Sequence, residues 1–187
     1  MERRAALFPL IELAFVSLIV VFFILDGPTA NFVRDLAFLC LALPLAVICR
    51  ENTGYTAPDI ITLPGTLVGF AVSLIPGSIG IVSSIEGAAI LLIILLVVAW
   101  VSPWLFGKEG VGGGVIKAGM MVGAFCGFPS ALLVLCLAII LGIVGGAVFL
   151  WLGKIARGAY VSGVDPLLAG ATIAMICGDA ILGHVFG

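Results

Sequence analysis

Long apolar runs separated by short polar segments organise this chain, and none of the runs alternates with period two. That pattern predicts helices rather than strands. A first run over residues 7–25 closes at the turn signal Asp26-Gly27-Pro28 and carries Glu12 inside it. A second, over 32–49, opens with Arg34 and Asp35 and contains Pro44, a residue that kinks a helix or is accommodated by a neighbour. A third starts near Ile60, passes Pro64 and stops at Pro76-Gly77-Ser78. Residues 87–105 form the most lipid-like run, with Trp100 and Trp104 near its end, where an interfacial aromatic belt belongs. Residues 115–127 are short for a span, which needs about 20 residues. After Phe128-Pro129-Ser130 come runs over 131–152 and 166–183.

Glycine punctuates the runs at helical spacing. Gly65 and Gly69 stand four apart, as do Gly119, Gly123 and Gly127, so each set bares one helix face for close approach by another helix. Two polar segments interrupt the pattern most strongly. One is residues 50–59, RENTGYTAPD; the other is residues 107–118, GKEGVGGGVIKA, with five glycines and two lysines. Glycine in such number relaxes the backbone and suits a hinge or a re-entrant entry into a bundle.

Composition turns these helices into membrane spans. The chain of 187 residues is 63% hydrophobic and 10% charged, against about 25% charged in soluble domains, and its mean hydropathy is +1.39. A chain in a bilayer must satisfy its backbone internally, as a helix bundle or a closed barrel, and unalternating runs select the bundle. With the N-terminus cytoplasmic, Arg3, Arg4, Arg50, Lys108, Lys117, Lys154 and Arg157 fall inside and only Arg34 outside, the expected positive-inside bias. The expectation is an all-α polytopic membrane helix bundle of six full spans plus one short glycine-rich span. It forms a single domain over 1–187, with the 50–59 and 107–118 loops on one side. A net charge of −2 excludes a nucleic-acid partner. One histidine, His184, and five scattered cysteines offer no metal site and no cofactor attachment, and the cysteines read as small apolar residues.

The two polar loops resemble the active-site regions of the type IV prepilin peptidases, intramembrane aspartyl proteases that trim pilin and pseudopilin leaders. Pro58-Asp59 and Thr62-Leu63-Pro64-Gly65 are similar to that family's first region. Residues 107–117 resemble its Gly-x-Gly-Asp motif, including the preceding Glu109-Gly110 and the lysine two positions after the aspartate, here Lys117. Residues 166–179 look like its last span. The resemblance covers roughly 37–179 and lacks the N-terminal methyltransferase region, so it is nearest to the short, core-only members. It implies a multi-pass protein of a bacterial or archaeal cytoplasmic (inner) membrane, with a part in type IV pilus assembly or protein secretion.

The departures from the family pattern bear on the chemistry. Glu51 stands at the first-aspartate position and Val115 at the second. Aspartyl proteolysis needs two facing carboxylates sharing one proton, one to activate water and one to donate to the scissile carbonyl. Valine does neither. Glu109, Asp59 and Asp179 are poor substitutes, since the first two coexist with the true pair in the family and Asp179 lies towards the far end of the last run. The expected function is therefore a non-proteolytic helix-binding protein, a pseudoenzyme, or a subunit of a larger membrane complex. Its partner would be the transmembrane helix of a pilin-like or other membrane protein within the lipid bilayer. Pro58, Asp59, Glu109, Gly112, Gly114 and Lys117 are the candidate helix-binding residues. An active prepilin-type endopeptidase is the alternative. A transporter or channel lacks a ring of polar residues along any span.

Overall fold

The structure is a computed structural model describing residues 30–51, 58–106, 111–151 and 163–186, and those residues are all-helical. The run over 7–25 with Glu12, and the segments carrying Lys108, Glu109, Lys154 and Arg157, lie outside the described residues. The six helices are α1 (Ala30–Glu51), α2 (Asp59–Ser73), α3 (Ile81–Phe106), α4 (Gly113–Cys126), α5 (Ser130–Trp151) and α6 (Val164–Phe186). Each corresponds to one of the apolar runs.

The shortest helix, α4, sits at the centre and packs on all five others. Its glycines explain how. A Cβ built on Gly123 would run into the backbone of Gly87 and Ala88 in α3, and one built on Gly87 would lie 2.5 Å from the Gly123 carbonyl oxygen and 2.8 Å from Gly127. Here two helices meet backbone to backbone, which only glycine permits. Gly119 receives the side chain of Leu95 from α3, while Gly65 and Gly69 of α2 receive Met121 and the Ala124–Phe125 pair of α4. Around these contacts lies one apolar core including Phe38, Leu45, Leu91, Met121, Phe125, Val134 and Leu167. Phe38 meets Phe125 edge to face, with ring centroids 5.5 Å apart, a favoured geometry for aromatic quadrupoles.

The same contacts give the directions. Gly65 faces Met121 and Gly69 faces Phe125, so α2 runs parallel to α4; Val115 by Gly163 and Gly119 by Leu167 make α6 parallel to both. Pairing of Gly87 with Gly123 and Leu95 with Gly119 sets α3 antiparallel, as Gly142 by Pro166 and Gly170 by Ala138 set α5 against α6. Leu41 by Gly65, with Phe38 on Phe125, sets α1 against α2. The C-termini of α1, α3 and α5 therefore share one end with the N-termini of α2, α4 and α6.

Where α3 begins was not legible from hydropathy: it starts at Ile81, ahead of the expected Gly87, and includes Ser83, Ser84 and Glu86. The serines are polar because they close the opposite end of the bundle. Ser84 donates to the carbonyl of Ala124 at 2.5 Å and Ser83 to that of Phe128 at 2.8 Å, while the Phe128 N–H returns to the Ser83 carbonyl at 3.0 Å. These bonds hold the α4–α5 turn, where Gly127 takes φ 66°, a left-handed conformation that ends α4 and favours glycine.

Among the described residues one segment, Ile81–Trp104, is long and apolar enough to cross a membrane, with mean hydropathy 2.7. Asp59–Ser73, Gly113–Cys126, Ser130–Gly145 and Val164–Met175 are shorter apolar helices. On α2 the usual amphipathic arrangement is inverted. Thr62, Gly65, Thr66, Gly69 and Ser73 face inward, and Ile60 and Leu67 face outward at 82% and 68% exposure. The buried hydroxyls bond their own helix, Thr66 to the Thr62 carbonyl at 2.8 Å and Ser73 to that of Phe70 at 2.7 Å.

Candidate functional site

The end shared by the α2, α4 and α6 N-termini holds Pro58, Asp59, Gly112, Gly114, Val115 and Lys117 of the residues singled out in the sequence. Pro58 caps α2 in an extended conformation, φ −70° and ψ 132°, and its carbonyl accepts from the N–H groups of Ile61 at 3.1 Å and Thr62 at 3.3 Å. Pro58 imposes that φ and lacks an N–H, so the helix starts immediately after it. Asp59 then occupies the first turn, where a carboxylate favours the positive end of the helix dipole. Gly112 caps α4 in the same extended way, φ −76° and ψ 157°, with its carbonyl accepting from Val115 N–H at 3.0 Å.

Parallel packing of α2 on α4 brings these two starts together. Lys117 Nζ donates to Asp59 Oδ1 at 2.5 Å, an ion pair between residues 58 positions apart. Both side chains remain open to solvent, 41% for Lys117 and 57% for Asp59. The two polar regions recognised in the sequence thus touch through one charge pair, and each partner satisfies the other. An exposed pair of this kind contributes little. Lys117→Ala is expected to lower stability by less than about 1 kcal/mol, and thermal unfolding at low and high salt should show that difference shrinking as salt screens the pair.

Val115 faces elsewhere. Its side chain is 6% exposed within the apolar core, and a Cβ built on Gly163 would lie 3.3 and 3.5 Å from its two methyl carbons. Positions 115 and 117 lie about 200° apart around a helix of 3.6 residues per turn; accordingly Val115 is turned to the start of α6 and Lys117 to α2. Gly114 beside it is buried in the same turn, whereas Gly113 has open space where a Cβ would go. Glu51 is the last residue of α1, a helix that packs on α2, α4 and α6. The Glu51 side chain and all of Glu109 lie outside the described residues. Among the described residues no three His, Cys, Asp or Glu side chains gather as a metal site. The chemistry on view is apolar packing at 115 with a neutralised charge pair at the rim.

A feature that sequence reasoning missed lies at the other end. Arg34 and Asp35, expected simply to open a span, are largely buried: Arg34 Nε donates to Asp35 Oδ1 at 2.9 Å, with side-chain exposures of 11% and 1%. The signal was present in the sequence, since neighbouring opposite charges inside an apolar run mark a paired, inward-facing site.

Comparison with known proteins adds to this geometry. No family model matches the chain, and no solved structure does. Curated relatives do match. A prepilin leader peptidase/N-methyltransferase of Burkholderia pseudomallei is 31% identical over 149 residues, 80% of this chain and 48% of the relative. The protein of the same description from Pseudomonas putida is 28% identical over 182 residues, 96% of this chain and 62% of its own length. That from Stutzerimonas stutzeri is 32% identical over 128 residues, 66% of this chain and 43% of its own length. The chain thus spans about half the length of the curated relatives it matches. Similarity of this extent supports a relationship to the prepilin peptidase superfamily.

Proposed function

We propose that this chain is a multi-pass protein of a bacterial or archaeal cytoplasmic membrane that keeps the helix-docking end of a prepilin peptidase and has given up hydrolysis. The observation that carries the reading is Val115, an apolar side chain packed against the start of α6 where the family resemblance puts an aspartate. The inverted pattern of α2 supports the bilayer setting. Small and hydroxylated residues turned inward with large apolar ones outward suit helices whose outer solvent is lipid. Six full spans and one short one, with a cytoplasmic N-terminus, complete the topology on this reading, and the Asp59–Lys117 end faces the cytoplasm.

The proposed partner is the transmembrane helix of a pilin-like protein or of a larger membrane complex. Pro58, Asp59, Gly112, Gly114 and Lys117 are the residues it meets on this reading, and Glu51 and Glu109 are candidates from sequence alone. The second reading, an active leader endopeptidase, is favoured by the description of the relatives. Incubating the purified protein with a prepilin-like substrate separates the two. Substrate that is captured but left with its leader intact is the expected result, and efficient leader removal by the native chain would overturn the non-proteolytic reading.

A further inference from the structure

A small cavity at the end of the bundle opposite the Asp59–Lys117 pair is walled by Arg34 of α1, Ile79 of the α2–α3 turn, Cys126 of α4, Ser130 of α5, and Ala174 and Met175 of α6. Its volume is about 40 Å³, which is room for about three waters at roughly 10–15 Å³ each, or for one oxyanion group in their place. Arg34 enters this cavity already oriented. Its Nε is held by Asp35, and Asp35 is not among the cavity residues. A guanidinium carries five N–H donors and no acceptor, so four remain beyond the one at Nε. Ser130 can donate through its hydroxyl, which also accepts, and Cys126 weakly through its thiol, and the other described lining residues, Ile79, Ala174 and Met175, are apolar. Ser130 opens α5 and Cys126 closes α4, so the positive end of one helix dipole and the negative end of another border the same space and roughly offset.

Among the described lining residues the charged group is a donor without acceptor capacity, Arg34, and it fits a ligand whose polar atoms are acceptors. Asp35 offsets the charge of Arg34, so long-range attraction is weak and the selectivity comes from donor geometry, to which planar arginine is well matched for phosphate. The space takes one such group and no more, while the rest of the molecule would extend outward from the bundle.

We infer that the Arg34–Cys126–Ser130 cavity is a binding site for a phosphate group, supplied either by a phospholipid headgroup or by free phosphate. This goes beyond the helix-docking reading and does not depend on it, since the two sites lie at opposite ends of the helices.

The test uses the full chain in a phosphate-free detergent. Native mass spectrometry after passage through phosphatidylglycerol vesicles reads lipid retention, and calorimetric titration with inorganic phosphate reads the free anion. Arg34→Gln is expected to reduce the bound species by about tenfold or more, the scale of losing a charge-assisted hydrogen bond. Because that variant leaves Asp35 without its arginine and can fail to fold, Ser130→Ala supplies an independent arm that spares the ion pair. A reduction of about threefold or more is expected there, the scale of a single neutral hydrogen bond. Retained phosphatidylglycerol that falls in Ser130→Ala assigns the site to a headgroup. Phosphate binding without lipid retention, falling in the same variant, assigns it to the free anion. Absence of both, or binding that Ser130→Ala leaves unchanged, would overturn the proposal and leave a cavity filled with water.

Discussion

Gly123→Ala is expected to destabilise the folded bundle by about 3 kcal/mol or more, at the upper end of what overpacking usually costs. The reason is what the added methyl meets. At Gly123 it runs into the carbonyl carbon and oxygen of Gly87 and the Cα of Ala88, all of them backbone, so relief requires α3 and α4 to move apart. Such a movement would loosen the Ser84–Ala124 and Ser83–Phe128 bonds as well. Three glycines make a graded series. At Gly119 the obstacle is the Leu95 side chain, which can change rotamer, so Gly119→Ala should cost less than Gly123→Ala. At Gly145, in α5, nothing lies within 4 Å of the added methyl, and Gly145→Ala should be neutral or stabilising by up to about 1 kcal/mol through helix propensity. Thermal unfolding of the purified variants in detergent gives the order directly. If Gly123→Ala melted with the native protein, the backbone contact at the centre of the bundle would be wrong.

That series also shows which parts of the fold the sequence made legible. The four-residue spacings of Gly65 with Gly69, and of Gly119 with Gly123, announced close helix contacts because a missing side chain on one helix face has few other uses in a span. The structure assigns them partners in α4 and α3 respectively. The start of α3 was hidden for the complementary reason. Ser83 and Ser84 lower local hydropathy and look like a turn, yet their hydroxyls are used by carbonyls 40 and more residues away. A hydropathy window carries no information about such partners.

At the candidate site, legibility divides in the same way. Two loops lying on one side of the bundle followed from charge distribution, and the Asp59–Lys117 contact joins them. That contact also changes what the two residues offer a partner, since an incoming group meets a neutralised pair rather than a free carboxylate and a free ammonium. Val115 was readable as a departure from a motif, but its direction was not. Only the parallel packing of α6 on α4 determines that residue 115 looks towards Gly163. The surroundings of Arg34 similarly come from a turn and three helices brought up from far along the chain.

If the altered dyad, Glu51 and Val115, is what silences the site, restoring both aspartates should restore chemistry, and the expected effect is the largest one available to mutation here. Val115→Asp alone places a carboxyl group at a position that is 6% exposed and bordered by apolar residues. Burying it without a hydrogen-bond partner is expected to lower stability by about 1–3 kcal/mol, because desolvation is uncompensated. Pairing it with Glu51→Asp supplies, on the family resemblance, the second member of a dyad in which two carboxyls share one proton, so one activates water and the other donates to the carbonyl. The expected result is leader cleavage of a prepilin-like substrate at least about a hundredfold faster than by the native chain, the scale attached to general acid–base and oxyanion stabilisation. Val115→Asn with Glu51→Asp controls for shape, since the amide matches the carboxyl in size and cannot share the proton; it should remain at the native rate. Cleavage by the native chain equal to that of the Glu51→Asp, Val115→Asp double variant would mean that some other carboxylate already serves. Failure of a folded double variant to cleave would mean that more than the two carboxyls has been lost.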